Sequence, residues 1–314
     1  LEDAGRMGGI GEGEGLAAGE QLRWRGGQPQ IARLRRLPPA AGTGFAPRSD
    51  RSYLVTGGQG GLGLATARWL ADGGAGGLLL IGRRPGDAAV LAELWARGCR
   101  VAYQAVDVAD AAALAGALTA GLADLPPLDG VFHAAGLLED ATIPQIDPAR
   151  AAAVIAAKAG GAWALHRLTA EMGLSQFVLY GSVAGLTGNA GQAAYAAANR
   201  YLDRLADWRH GQGLAAISIA WGPWAEVGMA ARAGSGRAAA RGLRALKPTA
   251  ALAALGRVLG DPAAGPTAVI AEIDWTSMAD GPALFADLLP KRAAEDSRRA
   301  ELAALAPDRR RREL

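Results

Sequence analysis

The amino-acid sequence predicts a doubly wound α/β fold, in which a parallel seven-stranded sheet carries helices on both faces. From Ser52 onward, short apolar runs alternate with Ala-rich helical stretches, which is typical of parallel strands joined by crossover helices. The helical stretches are followed by Gly or Pro, and these residues end helices. With 314 residues, 50% of them hydrophobic, the chain is long enough to bury such a core without a disulfide.

The individual elements follow from these runs in chain order. Strands are predicted at residues 53–56, 78–81, 100–106, 130–133, 177–180, 215–220 and 268–273. Helices are predicted at residues 62–71, 88–97, 111–122, 149–172 and 192–209. Before them, residues 21–25 and 30–35 flank Gly26-Gly27 and predict a β-hairpin. Three segments result: a hairpin and linker at 1–50, the α/β domain at 51–290 and a charged linker at 291–314.

Charge and composition argue against several function classes. The net charge is +3 and the pI near 9.3, but arginine is dense only at 33–36 and 309–312, which disfavours nucleic-acid binding. The longest apolar runs, 77–82 and 215–221, have strand length, far short of the roughly twenty residues that a membrane span needs. The histidines share no ligand spacing with Cys99, so no metal site is predicted.

Two features bear on the origin of the chain. Cys99 is the single cysteine and cannot form an internal disulfide, which indicates a reducing compartment or no dependence on one, and we expect a cytoplasmic location. The chain begins with Leu1 and lacks a signal pattern, so we expect a domain cut from a longer polypeptide.

A glycine-rich turn joins the first predicted strand to the first predicted helix. Backbone amides can approach a pyrophosphate closely only where side chains are absent, and the helix N-terminus adds positive potential. This strand-turn-helix context favours a dinucleotide-binding turn over a mere tight turn. The candidate cofactor residues in it are Thr56, Gly57, Gly58, Gly60, Gly61, Leu62 and Gly63.

The ends of the next strands supply further cofactor candidates. Arg83 and Arg84 stand where an acidic residue would hold the ribose of NAD, so they favour a 2′-phosphate and NADPH, the alternative being two solvated surface arginines. Asp107 beside Val108 can accept from an adenine amino group. Small residues after the fourth strand leave room for the adenosine ribose, and they are Ala134, Ala135 and Gly136.

Four polar residues predict proton transfer to a carbonyl oxygen. Tyr195 and Asn199 lie one turn apart on one helix face, after Ser182 at the end of the fifth strand. A free tyrosine has a pKa of about 10, so a nearby cation would help it to exchange a proton, and Lys158 is the natural candidate. Ser182 can donate to the same oxygen. Each residue alone is more often a packing or surface residue.

Together these residues resemble a short-chain dehydrogenase/reductase, and within that superfamily the ketoreductase domains of modular polyketide synthases. The resemblance covers the chain from about residue 20 to its end and implies a Rossmann-like fold. Besides the glycine turn, the matching motifs are Phe132-His133-Ala134-Ala135-Gly136, Gly181-Ser182-Val183-Ala184-Gly185, Gly191-Gln192-Ala193-Ala194-Tyr195-Ala196-Ala197-Ala198-Asn199, and Trp221-Gly222-Pro223-Trp224 leading to Gly228-Met229-Ala230.

The position of the lysine indicates the subfamily. Free-standing members carry Lys four residues after the Tyr, where this chain has Asn199, and the upstream Lys158 is characteristic of synthase ketoreductases. The resemblance implies that residues 1–50 hold a remnant of a structural subdomain and that 291–314 leads toward an acyl carrier protein. It also implies that Trp221 borders the nicotinamide, or packs in the core, and that 224–244 forms a lid.

The resemblance further suggests B-type stereochemistry, which gives a 3R alcohol. The triplet Leu138, Glu139 and Asp140 stands where B-type domains carry Leu-Asp-Asp, although Glu139 replaces the first Asp. Thr187 occupies the place of the A-type Trp, whereas Ala190 replaces a Pro common in B-type loops. Gln192 and Met229 complete the candidate substrate residues.

The implied function is NADPH-dependent reduction of a β-ketoacyl group carried by an acyl carrier protein, with neighbouring synthase domains as further partners. Three alternatives stay open at the level of the sequence. They are a free-standing reductase of another carbonyl substrate, a catalytically silent domain, and nucleic-acid binding.

Overall fold

A computed structural model of the chain describes residues 22–25, 28–37, 44–228, 242–277 and 283–289. These described residues fall into two compact units, one within 1–36 and 274–314 and the other within 37–273. In the first unit, β1 (Leu22–Arg25) pairs antiparallel with β2 (Gln28–Ile31). The predicted hairpin therefore forms, with a second strand shorter than expected.

The second unit contains the predicted parallel sheet. Its strands, with two short ones outside the sheet, are β3 (Ser52–Thr56), β4 (Gly77–Gly82), β5 (Arg100–Ala105), β6 (Leu128–His133), β7 (Gln176–Ser182), β8 (Ile217–Trp221), β9 (Leu243–Arg244), β10 (Thr267–Ile270) and β11 (Glu272–Ile273). The seven-stranded sheet has the order β10-β8-β7-β6-β3-β4-β5, and every pair in it is parallel. The fold class is confirmed.

Helices connect these strands. They are α1 (Gly61–Asp72), α2 (Ala88–Ala96), α3 (Ala111–Leu122), α4 (Pro148–Ile155), α5 (Gly161–Thr169), α6 (Val183–Thr187), α7 (Ala193–Gly211) and α8 (Pro248–Leu259). The predicted helix at 149–172 is interrupted by a π-turn, Ala156–Gly160, between α4 and α5. Sequence patterning gave no separate prediction for α6 or α8.

The last predicted strand is divided in two. β10 pairs with β8 as far as Ile270 opposite Trp221, and the Gly222 amide then donates to the Ile270 carbonyl at 2.9 Å. Beyond this point β8 no longer runs alongside, and β11 pairs antiparallel with β9 instead.

The sheet has a hydrophobic core on each face. Tyr53 and Val55 of β3 lie in one buried cluster, whereas Leu54 lies in the other, as the two-residue period of a strand requires. Because both faces are covered, the central strands are apolar throughout, which explains why they were recognisable as short apolar runs. Within the described residues, no helix is both long and apolar enough to cross a membrane.

Candidate active site

The glycine turn lies at the carboxyl end of β3 and forms the entry to α1. Gly57 has a φ of +65°, which disfavours other residues, and a Cβ on Gly61 would lie 2.6 Å from the Gly228 amide nitrogen. A Cβ on Gly63 would collide with the Gly57 carbonyl. α1 has no side-chain cap and no acidic residue in its first turn. This cradle of bare backbone and uncapped amides fits a pyrophosphate.

The predicted 2′-phosphate residues lie after β4, near the same edge of the sheet. Arg83 and Arg84 are exposed, and neither guanidinium forms an ion pair with a described residue. The Tyr103 hydroxyl donates to the Arg84 carbonyl at 2.6 Å and holds this loop. Two unpaired cations at this place fit an added phosphate.

Residues after β5 and β6 complete the cofactor side. One carboxylate oxygen of Asp107 accepts from the Ala109 amide at 3.0 Å, and the carboxylate is exposed. Val108 is buried instead, and a Cβ on Gly161 would lie 2.9 Å from its Cγ2. Val108 therefore packs against the first residue of α5, directly after the turn that carries Lys158, and its contact with adenine stays a prediction.

Lys158 lies in the π-turn and only 3% of its surface is exposed. Its ammonium group donates to the Tyr180 carbonyl and lies 5.6 Å from the centroid of the Tyr195 ring. A Cβ on Gly136 would approach Lys158 Cε to 3.3 Å. Gly136, predicted as a cofactor residue, thus also makes room for the lysine stem.

Burial controls the charge of Lys158. Loss of solvation lowers its pKa to about 8, while the negative charge of Asp203 acts in the opposite direction. Asp203 lies on α7, is 2% exposed and accepts a hydrogen bond from Ser218 Oγ at 2.8 Å. Sequence analysis missed it, because nothing in a helical pattern distinguishes a buried aspartate from a solvated one.

Ser182, Tyr195 and Asn199 lie on adjoining elements. Ser182 ends β7 and caps α6, where its Oγ accepts from the Ala184 amide at 3.2 Å. Asn199 Nδ2 donates to the Tyr195 carbonyl at 2.7 Å, and its buried Oδ1 accepts from no described residue. An unpaired buried amide oxygen next to the tyrosine is suited to a water or an ammonium proton. The structure therefore brings together all four predicted catalytic residues.

The pKa of Tyr195 departs from the expected direction. Burial raises it, while hydrogen bonding with Ser182 and Asn199 acts to lower it. Sequence analysis expected Lys158 to lower the pKa of Tyr195. The net shift of this pKa is upward instead, because desolvation of the buried phenol outweighs the hydrogen bonds. Tyr195 accordingly keeps its proton at neutral pH and can act as a donor.

Three of the predicted stereocontrol and substrate residues, Glu139, Asp140 and Gln192, lie along or beside one cleft. Asp140 Oδ1 accepts from Gln192 Nε2 at 2.9 Å, and Gln192 Oε1 accepts from Asn189 Nδ2. Glu139, next to the half-buried Leu138, forms an ion pair with Arg150. The residues along this cleft include Ala141, Ile146, Asp147, Gly191 and Ala194.

The contacts of Thr187 and Trp221, two other predicted substrate residues, lie elsewhere. Thr187 Oγ1 donates to the carbonyls of Val183 and Gly188 at 3.2 and 3.1 Å, so its hydroxyl is used within its own turn. The Trp221 side chain is 4% exposed and packs against Tyr180 at 5.4 Å and Trp224 at 5.0 Å. These contacts favour the core-packing interpretation of Trp221, and its contact with substrate or nicotinamide stays a prediction. Met229, with most of the predicted lid at 224–244, lies outside the described residues.

Sequence analysis also missed a role for His133. This histidine is fully buried, with its ring nitrogens 2.8 Å from Thr56 Oγ1 and 2.9 Å from the Lys158 carbonyl. The sequence contained one sign of this role, since His133 is a polar residue at the end of the otherwise apolar run of residues 130–133. Among the described residues, no group of three or more His, Cys, Asp or Glu side chains is arranged to hold a metal ion.

Comparison with known proteins gives one family match. The family model described as the KR domain matches residues 51–226. Among curated proteins, polyketide synthase GfsB of Streptomyces halstedii is 43% identical over 272 residues, which is 84% of this chain and 5% of the synthase. Mycoketide-CoA synthase of Mycobacterium tuberculosis is 46% identical over 181 residues, 55% of this chain and 4% of that protein. The chain therefore spans a small fraction of these relatives.

Solved structures share the fold. A ketoreductase from the first module of phoslactomycin biosynthesis in Streptomyces sp. HK803 has a TM-score of 0.79 at 37% identity, covering 88% of this chain and 66% of that one. A structure described as A-type ketoreductases from a modular polyketide synthase gives 0.76 at 41% identity, covering 87% and 58%. A short-chain type dehydrogenase/reductase from Mycobacterium ulcerans, at 24% identity and a TM-score of 0.61, shares the fold alone, covering 72% and 89%.

Proposed function

The chain belongs to the KR domain family of modular polyketide synthases, and from that premise we propose that it reduces a β-ketoacyl group on an acyl carrier protein with NADPH. The observation that carries the proposal is the grouping of Lys158, Ser182, Tyr195 and Asn199 at the sheet edge that also holds the glycine turn. Carboxyl ends of parallel strands meet at this edge, where ligands of doubly wound sheets bind.

The proton-transfer step is assigned to this chain's own residues. Tyr195 donates its proton to the carbonyl oxygen, and Ser182 donates a hydrogen bond to the same oxygen as negative charge develops. The Lys158 ammonium, 5.6 Å from the tyrosine ring, stabilises the phenolate that remains. Asn199, with its unpaired buried oxygen, positions the lysine or a water through which the proton is replaced.

The residues on the cofactor side fit a dinucleotide phosphate. The bare backbone at Gly57, Gly61 and Gly63 accommodates the pyrophosphate, and the unpaired Arg83 and Arg84 accommodate a 2′-phosphate. When bound, the reduced nicotinamide supplies the hydride that reaches the β-carbon. The exposed carboxylate of Asp107 is left to accept from the adenine amino group.

B-type stereochemistry, giving the 3R alcohol, is part of the proposal. Its support is the bond from Gln192 to Asp140, which fixes the third residue of the Leu138-Glu139-Asp140 triplet at the wall of the cleft. Thr187 stands in the place of the A-type Trp, and its hydroxyl bonds within its own turn. The proposed setting is a cytoplasmic synthase whose neighbouring domains deliver the acyl carrier protein.

The test is NADPH consumption with a short β-ketoacyl thioester, with NADH and the Tyr195→Phe variant in parallel and the alcohol resolved by chiral chromatography. We expect NADPH to be preferred and the 3R alcohol to form. Tyr195→Phe should bind NADPH as the parent does but lose at least ~100-fold in kcat, because general acid catalysis contributes about 10² to 10⁴. Unchanged turnover in this variant refutes the proposed chemistry, and a 3S alcohol refutes only the B-type assignment. Tight NADPH binding without turnover favours a silent domain.

A further inference from the structure

His133 links the glycine turn to the π-turn that carries Lys158. It ends β6, and its side chain is fully buried. One ring nitrogen, Nδ1, lies 2.8 Å from Thr56 Oγ1, and the other, Nε2, lies 2.9 Å from the Lys158 carbonyl oxygen. Thr56 is the last residue of β3 and immediately precedes Gly57. One imidazole thus spans the cofactor side and the proton-transfer side of the site.

The protons in this chain of hydrogen bonds follow from the partners together with burial. The Lys158 carbonyl can only accept, so Nε2 carries a proton. Burial keeps the imidazole neutral by lowering its pKa to about 4, which leaves Nδ1 as an acceptor. The Thr56 hydroxyl therefore donates to Nδ1, and its oxygen accepts from the Ala135 amide at 3.2 Å.

Close packing leaves the imidazole little freedom. A Cβ added to Gly161, in the first turn of α5, would lie 3.1 Å from His133 Cε1. The backbone at Lys158 has π-helical geometry, which is rare and depends on local contacts for its persistence. A donor fixed on the neighbouring strand and aimed at the Lys158 carbonyl is such a contact.

We propose that His133 is a positioning residue that holds the glycine turn and the Lys158 backbone at a fixed separation, so that cofactor and proton-transfer groups are aligned together. The inference deepens the proposed reduction and rests on it. Each ring nitrogen serves one half: Nδ1 holds Thr56 and the cofactor turn, and Nε2 holds Lys158. The two hydrogen bonds can be removed separately. An asparagine amide reaches the position of Nδ1 and keeps only the bond to Thr56, whereas a glutamine amide reaches the position of Nε2 and keeps only the bond to Lys158.

The experiment compares His133→Gln and His133→Asn in the full chain. NADPH affinity is measured by fluorescence titration without substrate, and kcat and KM are measured with a β-ketoacyl thioester. His133→Gln keeps the bond to Lys158, so the Kd for NADPH should rise about three- to ten-fold while kcat falls at most about three-fold. His133→Asn keeps the bond to Thr56, so kcat should fall about 10- to 100-fold with KM and the NADPH Kd within about three-fold, since small misplacements of reacting groups cost up to about 10²-fold.

His166→Gln is the matched control. His166 is also a buried histidine, at 7% exposure, but it lies on α5 with Nδ1 2.6 Å from Arg209 Nη1. We expect this variant to keep both the NADPH Kd and kcat. A purely structural role for His133 would lower the thermal stability of both His133 variants and would not separate NADPH affinity from kcat.

The outcomes distinguish this inference from the proposed function. If the parent chain reduces the thioester and the two His133 variants change together, or neither changes, the inference is overturned alone. If the parent does not reduce it, the proposed function fails. Should His133→Asn not unfold cooperatively, His133→Gln alone tests the link: a raised NADPH Kd with kcat retained supports it, and an unchanged Kd overturns it.

Discussion

Burial of single side chains sets the order in which the groups of the site lose protons. Lys158 has its pKa lowered to about 8, whereas burial moves that of Tyr195 upward. As pH rises, the ammonium therefore discharges before the phenol does. The charge of Asp203 counteracts part of the lowering at Lys158, and Asp203 itself is held by Ser218 and Arg200. His133, which contacts the Lys158 carbonyl, is kept neutral by burial and adds no charge beside the lysine.

This order predicts the alkaline limb of the pH profile. We expect kcat to decline as pH rises through about 8, because the proposed mechanism requires the Lys158 ammonium. Asp203→Asn should move that limb to lower pH, since the amide still accepts from Ser218 but no longer stabilises the cation. Steady-state kcat between pH 6 and 10 measures both effects. A limb that stays in place in Asp203→Asn would exclude Asp203 as the counter-charge.

Asp207→Asn provides the control for this profile. Asp207 lies one turn further along α7, is 35% exposed and pairs with Arg204 at 2.8 Å. The same substitution at this position removes one negative charge from the same helix without touching the buried group. We expect its pH profile to match that of the parent chain.

The exposed arginines after β4 predict cofactor selectivity. Arg83→Ala combined with Arg84→Ala should raise the KM for NADPH about 10- to 100-fold, because charge-assisted bonds to the 2′-phosphate are lost. The KM for NADH, which lacks that phosphate, should hardly change. Arg167→Ala, at an exposed position of α5, should affect neither. An equal loss with both cofactors would instead indicate a general effect on the loop.

At the scale of elements, the contact between α6 and α7 aligns Ser182 with Asn199. A Cβ added to Gly185 in α6 would lie 2.9 Å from Asn199 Cβ and 3.2 Å from the Arg200 amide nitrogen. The two helices can approach this closely only because residue 185 has no side chain. The position of the Ser182 hydroxyl relative to the Asn199 amide thus depends on Gly185, which itself takes no part in the proposed chemistry.

We therefore expect Gly185→Ala to reduce both stability and turnover. Overpacking should lower the free energy of unfolding by about 1–3 kcal/mol, and displacement of Asn199 should lower kcat. Gly160→Ala is the matched control, because a Cβ there meets nothing within 4 Å and the residue has helical angles, φ −61° and ψ −46°. Alanine should raise stability there by about 0.5–1 kcal/mol. Urea unfolding of both variants measures their free energies of unfolding. Equal changes in Gly185→Ala and Gly160→Ala would contradict this prediction.

The sequence predicts elements better than their internal irregularities. The apolar runs that became β3, β4 and β7 are buried on both faces, which made their positions plain. The π-turn at Ala156–Gly160 could not be foreseen, because an Ala- and Gly-rich segment suits an α-helix equally well. The division between β10 and β11 depends on where β8 ends, which is a property of the neighbouring strand.

At the scale of the whole molecule, topology gathers residues that are distant in sequence. Lys158, Ser182 and Tyr195 could be predicted to meet, since they follow strands whose carboxyl ends share one edge. What could not be predicted is the direction of individual side chains. The indole of Trp221 faces the core, although its backbone pairs with that of Ser182. Nor does a sequence show that burial outweighs hydrogen bonding in setting the pKa of Tyr195.

The buried His133 makes the stability of the whole fold depend on pH. Its folded-state pKa of about 4 lies below the ordinary 6.5, so in acid the unfolded chain binds a proton that the folded chain excludes. Stability is therefore complete above about pH 6.5 and falls as pH drops toward 4. The loss between pH 7 and 5 should be about 2 kcal/mol from this group. Urea unfolding at several pH values should show that the free energy of unfolding falls less steeply in acid for His133→Gln than for the parent chain. Parallel pH dependences of the two proteins would contradict the attribution of this loss to His133.

The π-turn before α5 has a consequence for insertions and deletions. It adds a residue to what would otherwise be one continuous helix, so loss of a single alanine there would restore ordinary α-helical hydrogen bonding. Because the extra residue is accommodated within the wide turn, α4 and α5 would keep their buried faces, including the fully buried Val154 and Leu165. The change would fall on the residues inside the turn, so Lys158 would no longer be directed at Tyr195. At this position the length of the chain, and not only its composition, is part of the site.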